Sequence, residues 1–568
     1  MKNKKQLSEL EDEEGNTIID DGEKAELLNK YFSSVFTVEN LTDMPVPDPL
    51  PADISPIEDI ELDLADIKKR ILKLNTSKSA GPDKIHSKIL FETIDQVAPL
   101  LLIIFSKSLE EGQLPTQWKE ANVTPIFKKG RKKSPCNYRP VSLTSICCKL
   151  LERIIRDRIV LHLEQLGLLD KNQHGFRGGM SCNTQLLEIM ESWTTFFELG
   201  LPWDCIYMDF AKAFDSVPHE RLLLKIESYG IRGKLLGWIR NFLSNRRQRV
   251  TIGDRHSDWR PVTSGIPQGS VLGPILFVIF INDLPKTVLS HIKLFADDTK
   301  IFRAIENIKD FDLIQKDIDT LIKWSSTWQL PFNLQKCKVV HYGKNNPHHH
   351  YKIGNSNLPD DTEEKDLGVT FDNELNFRKH VRNTVAKANS RVGLIKRSFT
   401  NLDSKSFMLL YKSLVRPLLE YCCNIWYPTT QFDIKEIEKV QRRATKLMKD
   451  VRNKSYTERL RHLNIPTLIY RRHRNDMIQV FRIFNKIDKL DINTFFTLNK
   501  TRTTRGHQFK LDKPRVEQNK RMHSFSQRVI NPWNKLTHET VNCVTLNSFK
   551  TALENEWKNI DFKFDPGF

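Results

Sequence analysis

Nine cysteines are spread along this 568-residue chain, at Cys136, Cys147, Cys148, Cys182, Cys205, Cys337, Cys422, Cys423 and Cys543, with no Cys-x-x-Cys pair and no regular framework. That pattern argues against a disulfide scaffold and a zinc ribbon, and a reducing compartment is expected. Long apolar runs are missing too. The stretch 97–105 falls far short of the roughly 20 residues that span a bilayer. Lys2, Lys4 and Lys5 follow Met1 without the apolar core of a signal peptide. Secretion, membrane contact and membrane insertion are therefore not expected, and no internal repeat recurs at a solenoid period.

What is present suits a large folded chain. Hydrophobic residues make up 39% and charged residues 28%, and 32 Phe and 10 Trp can fill sizeable cores. At roughly 150 residues per domain the length corresponds to about four domain-sized units. The formal net charge is +18, unevenly placed. Residues 1–66 carry 5 basic and 18 acidic side chains, whereas residues 376–530 carry 35 basic and 12 acidic. The later segment is thus expected to hold a polyanion.

Leu27, Leu28, Tyr31, Phe32, Val35 and Phe36 recur at helical spacing near the start. Five prolines in residues 44–56 then break any regular element, which places a boundary near residue 62. Helices are expected at 64–74, 91–109 and 146–159, with a short strand at 121–127 leading into the basic turn KKGRKK. Between 204 and 342 the pattern becomes mixed. Strands are expected at 205–210, 248–253, 291–296, 299–302 and 338–342, and helices at 218–228, 270–283 and 308–328. Strands interleaved with packing helices define an α+β layer. Beyond about residue 375 the chain turns helical and basic.

Candidate chemistry sits in five places. Asp209, in YMDFAKAFDSVPH, ends an apolar strand, where a carboxylate is costly unless something positive binds it. Asp297 and Asp298 stand side by side in LFADDTKIF; alone they read as ordinary turn chemistry. Together the three acids can converge on hard, oxygen-seeking cations, two of which can drive phosphoryl transfer. Between them SGIPQGSVLGPILF offers glycines that let backbone approach a flat ligand. Upstream, Lys128, Lys129, Arg131, Lys132, Lys133 and Arg139 form either a solvated basic loop or a triphosphate clamp. In the basic half, Arg459, Arg461, Arg471, Arg472 and Arg474 cluster in a way that suits a phosphate backbone. The aromatics among them are read two to one as core rather than base-stacking platforms.

The ordered blocks KSAGPDKI, YRPVSLTS with KLLERII, QHGFRGGMS, YMDFAKAFDSV, SGIPQGSVLGPILF, FADD, FNLQKCKVV and KDLGVTFD resemble the reverse transcriptase of LINE-type (non-LTR) retrotransposons, of a Jockey-like clade. The resemblance runs from about Glu23 to at least Lys486 and implies a right-hand polymerase of α+β class. On it, 1–62 is an acidic N-terminal extension and linker, 63–200 the fingers, 201–375 the palm, and 376–568 a thumb-like, basic helical region. It implies that Asp209, Asp297 and Asp298 are catalytic and bind two Mg2+ ions, with Mn2+ as a substitute, and that Lys336 protonates the leaving pyrophosphate. It further implies that Lys128 and Arg139 hold the triphosphate, that Phe214 excludes ribonucleotides, and that Gln268 and Gly269 touch the nucleotide and template. Leu367 and Gly368 fall in the segment supporting the primer end. The implied partners are an RNA template, a DNA primer or target DNA, and deoxynucleoside triphosphates, with oligomeric state left open. Action in the nucleus after a cytoplasmic ribonucleoprotein stage is implied as well. An endonuclease domain, a Cys/His knuckle and an RNase H are not expected in this chain. The alternative is a catalytically silent relic that only binds nucleic acid, and Phe214 disfavours an RNA-dependent RNA polymerase.

Overall fold

Asp20 opens the first helix by accepting the amides of Gly22 and Glu23 at 2.8 and 3.0 Å, and acids in the first turn favour its positive end. The computed structural model describes residues 7–51, 54–499 and 507–568, and in it α1 spans Asp21–Ser34. Asp63 caps α2, Leu64–Leu72. After a short helical turn at Ser87–Glu92, α3 runs Ile94–Glu111 through Pro99 and stops at Gly112, which adopts φ 63°. Then come β1 (Glu120–Phe127), β2 (Tyr138–Leu143) and α4 (Ile146–Gln165). A reciprocal Ser181–Thr184 cap starts α5 (Cys182–Glu198), which leads to β3 (Trp203–Met208). The middle of the chain continues with α6 (His219–Ser228), β4 (Arg246–Ile252), α7 (Gly273–Ile281), β5 (His291–Phe295), β6 (Asp298–Ala304) and α8 (Lys309–Thr327). Short strands follow: β7 (Lys338–Tyr342), β8 (Asp360–Asp361), β9 (Glu363–Asp366) and β10 (Val369–Asp372). After these, α9 (Arg378–Ser398), α10 (Gln431–Thr445), α11 (Tyr456–Leu463), α12 (Leu468–Phe484) and α13 (Leu546–Glu556) dominate. The structure is a mixed assembly of sheets and helices, as the sequence pattern anticipates.

The proline-rich stretch 44–56 holds no helix or strand among its described residues; positions 52 and 53 lie outside them. No helix among the described residues is long and apolar enough to cross a membrane.

The chain packs as two compact units. The first comprises Met1–Phe176, Met208–Thr299 and Lys316–Cys337, and the second Arg177–Tyr207, Lys300–Gln315 and Lys338–Phe568. Within the first, β1 pairs antiparallel with β2, from Asn122↔Leu143 to Phe127↔Tyr138, and parallel with β4, from Glu120↔Arg247 to Val123↔Val250. The helix α1 lays Ala25, Leu28 and Phe32 against Val123, Tyr138, Val250 and Ile252. The acidic opening is thereby part of this unit. Glu11 meets Arg131 at 3.3 Å and Lys133 at 3.4 Å, so part of the basic turn is already paired. In α7 every side chain but Pro274 is buried, as expected of a helix apolar all round.

Within the second unit, β7 pairs antiparallel with β3, from Lys338↔Tyr207 to Tyr342↔Trp203, and parallel with β8. The Trp203 and Tyr342 rings stack 5.3 Å apart at one end of that pairing. A continuous core with Tyr411, Trp426, Phe481, Trp533 and Phe549 holds the helical part together. Leu367 (φ 44°) and Gly368 (φ 89°) turn the β9–β10 hairpin, which matches the twist such tight turns require. The Tyr421 hydroxyl donates to the Leu367 carbonyl at 2.8 Å, fixing that turn.

Candidate active site

Asp209 follows the last residue of β3, a strand buried along its whole length. The chain beyond it is zipped to a later segment. Asn333 N donates to the Asp209 carbonyl at 2.7 Å, Ala211 N donates to Pro331 O at 2.8 Å, and the Phe210 and Phe332 rings stack 4.1 Å apart. That zipper brings Lys336 next to Asp209, and its ammonium forms an ion pair with the Asp209 carboxylate.

Asp297 is set by a second clamp. Ala296, just before it, sits at φ 54° in the left-handed region. Gln173, fully buried, accepts both Gly175 N at 2.7 Å and Ala296 N at 3.0 Å through Oε1. His174 N donates to Leu294 O at 2.8 Å, and Leu294 N donates to Asn172 O at 2.9 Å. A Cβ at Gly175 would fall 2.3 Å from Ala296 N, so only glycine fits between loop and turn. The QHGF segment therefore holds the turn that presents Asp297.

Both carboxylates line one cavity of about 710 Å3, with Asp215 as the third acid and Lys128, Lys129, Arg139, Lys212 and Lys336 as cations. Burial first, and then the charge of Asp209, push the Asp297 carboxyl upward, with Lys128 and Arg139 opposing. Burial and the neighbouring Arg139 and Lys336 push the Lys128 ammonium down. Lys128 and Arg139 face the cavity because β1 ends where β2 begins: Lys128 N donates to Asn137 O at 2.8 Å, and Arg139 lies in register with Ile126. Two of the three expected acids are thus brought together. Asp298 is exposed as the first residue of β6 and is not among the cavity-lining residues. Asp297 belongs to the turn and Asp298 to the strand that follows it. Among the described residues no group of three or more His, Cys, Asp or Glu is gathered closely enough to hold a metal ion.

Phe214 forms the cavity wall, with its ring stacked on Phe277 at 4.5 Å. Gln268 donates its amide to both oxygens of Asp215 at 2.9 Å. Burial pushes the Asp215 carboxyl up to about 6, while the Gln268 hydrogen bond, Lys212 and Arg139 oppose it. Gly269 adopts φ 115°, and a Cβ there would meet Ser142 O at 2.6 Å; Ser142 N in turn donates to Gln268 O at 2.8 Å. The glycine-rich loop docks on β2 through this backbone contact.

The sequence reading missed Asp215, Lys212, Phe176 and Tyr31 as cavity residues. Asp215 stands beside Phe214 in the same motif and was legible there. Tyr31 recurs at helical spacing in the sequence, and Lys212 lies over its ring at 5.0 Å.

The arginines expected to hold nucleic acid have other partners within the second unit. Arg459 is buried and donates to Thr445 Oγ1 at 3.1 Å and Lys454 O at 2.6 Å. Arg471 pairs with Glu420, Arg474 lies 2.6 Å from Glu554, and Arg472 is buried; only Arg461 of the five is exposed. Exposed cations gather instead on α9, where Arg378, Lys379, Arg382, Lys387, Arg391, Lys396 and Arg397 face solvent and no acid occurs within the helix.

An acid pair thus lies among cations beside an aromatic wall and a glycine loop, and residues 128–371 match the reverse transcriptase (RNA-dependent DNA polymerase) family. The chain is similar to RNA-directed DNA polymerases of mobile elements of the jockey, X-element and R1 kind. It is 29% identical over 409 residues to the probable RNA-directed DNA polymerase from transposon X-element of Drosophila melanogaster, covering 70% of this chain and 44% of that protein. To the RNA-directed DNA polymerase from mobile element jockey of the same fly it is 27% identical, over 66% of this chain and 43% of the relative. The type-1 element R1 polyprotein of Bradysia coprophila is 24% identical over 71% of this chain and 41% of its own length. The chain spans less than half the length of these curated relatives.

Proposed function

We propose that this chain is the RNA-directed DNA polymerase of a non-LTR retrotransposon, extending a primer 3′-OH with deoxynucleotides on an RNA template. The observation that carries the reading is the single cavity in which Asp209 and Asp297 lie among five cations beside Phe214, inside the segment that matches the reverse transcriptase family. The donor set suits a hard divalent cation: two carboxylates, one with its proton affinity raised by burial and by the other's charge. Asp209 and Asp297 would hold the Mg2+, which would supply charge neutralisation at the attacking and leaving oxygens, whereas Asp298, exposed outside the cavity, is not placed to join them.

The chain's own residues divide the remaining work. Lys128 and Arg139 bind the triphosphate, Arg139 with the planar fork that suits phosphate oxygens. Lys336, already held at Asp209, carries the proton that the leaving pyrophosphate requires. Phe214, stacked on Phe277, presents a rigid ring to the sugar and excludes a 2′-hydroxyl. Gln268, oriented by Asp215, meets the nucleotide and template from the docked loop with Gly269. Phosphoryl transfer of this kind rests on positioning and charge. The partners in this reading are an RNA template, primer or target DNA and deoxynucleotides, met in the nucleus after a cytoplasmic ribonucleoprotein stage. Primer extension on an RNA template with Mg2+ tests it: incorporation is expected from the wild-type chain and not from Asp297→Ala. Equal signals from both would refute the assignment and leave a nucleic-acid-binding protein.

A further inference from the structure

Phe176 is a large apolar side chain left 53% exposed, and it lines the cavity rather than a core. Its backbone stands at φ 59°, in the left-handed region that a residue with a Cβ seldom adopts. The surrounding segment enforces that conformation. Gln173 holds Gly175 N and Ala296 N on one oxygen, and Gly175 is pressed against the Ala296 backbone. The ring that results meets Phe214 edge-on, with centroids 6.1 Å apart and planes at 87°. Phe214 also stacks on Phe277. Two rings thus brace Phe214, and one of them belongs to the same segment that sets the Asp297 turn.

We propose that Phe176 is a specificity residue for the incoming nucleotide: with Phe214 it forms an aromatic corner that closes the pocket against a ribose 2′-hydroxyl. The inference rests on the polymerase reading above and extends it to a residue outside the strand-end motifs. A Phe214 ring braced by its stack on Phe277 alone can tilt away from an extra hydroxyl; the T-shaped contact with Phe176 resists that tilt. Because Gln173 ties the same loop to Ala296, the corner and the acid turn keep a fixed separation, and a sugar placed for reaction is also placed against the corner.

The test uses the full chain as wild type, Phe176→Ala, Phe176→Leu and Phe176→Tyr, with thermal unfolding measured for each. kcat/KM for dTTP and for UTP is measured on an RNA template with a DNA primer, and equilibrium binding of dTTP and UTP with Mg2+ is measured separately. Phe176→Ala is expected to lower the dTTP-to-UTP ratio by about three- to tenfold, the range that an aromatic edge contact supports, with Phe176→Leu intermediate and Phe176→Tyr close to wild type. An unchanged ratio in a Phe176→Ala or Phe176→Leu protein that unfolds at the wild-type temperature would overturn the proposal, as would a Tyr variant as permissive as Ala. If the wild-type chain incorporates nothing, the polymerase reading fails on its own. The binding arm still decides the corner: loss of dTTP preference in the variants supports it, and equal preference overturns it.

Discussion

Asp215 shows how the charge of one side chain is governed by its position. Burial lifts its carboxyl from 3.8 to about 6, against the pull of Gln268, Lys212 and Arg139. Because the folded value lies above the unfolded one, the protonated acid contributes stability that is fully present below pH 3.8 and lost as pH rises through 6. The shift corresponds to roughly 3 kcal/mol at neutral pH. Asp215→Asn is therefore expected to be more stable than wild type in urea unfolding at pH 7.5, with the gap narrowing toward pH 4.5; a gap independent of pH would contradict this. Phe214 gives a second prediction at this scale. Phe214→Val opens the wall beside Phe277 and should raise ribonucleotide incorporation relative to deoxynucleotide by roughly ten- to a hundredfold. Unchanged sugar discrimination in primer extension would place the gate elsewhere. Asp209 and Phe214 were legible in the sequence because one short motif carries both. Phe176 was not, since its role depends on a left-handed backbone and on a ring from another motif.

Among the elements, periodicity served well and net charge served poorly. The helix expected at 308–328 is α8, Lys309–Thr327, and the strand expected at 338–342 is β7, because apolar spacing reports burial directly. A cluster of arginines reports no such thing. Arg471 finds Glu420 and Arg474 finds Glu554 far along the chain, pairings that no local spacing reveals. Arg459 is tied into α10 and the loop before α11. Arg459→Ala should lower stability by about 1–3 kcal/mol, the cost of stranding buried acceptors, while the nucleic-acid affinity of the folded protein stays near wild type. The triple change Lys387→Ala, Arg391→Ala and Lys396→Ala on α9 should do the opposite. It is expected to weaken RNA binding at all sequences and to reduce the salt slope by roughly one per cation removed, with unfolding unchanged. Filter binding across a salt series, beside thermal melts of both variants, separates the two; a triple variant with wild-type affinity and slope would remove α9 from the interface.

For the whole molecule, the order of motifs carries the resemblance to reverse transcriptases while leaving open how space divides the chain. The acidic opening was set apart as an extension, yet α1 completes the β1–β2–β4 layer and Glu11 pairs with the basic turn. The stretch expected as one palm segment, 201–375, is shared between two compact units, because packing joins residues that the linear order separates. The acids were legible as candidates, but their grouping was not: Asp209 and Asp297 share a cavity, and Asp298 stands exposed beside it. The account depends on the first two carboxylates acting as one cation site. Mn2+ titration followed by electron paramagnetic resonance, on the full chain with dTTP and a primer–template, tests that most directly. Bound Mn2+ is expected in the wild-type protein and should fall sharply in both Asp209→Asn and Asp297→Asn; wild-type Mn2+ binding in either variant would contradict a shared site.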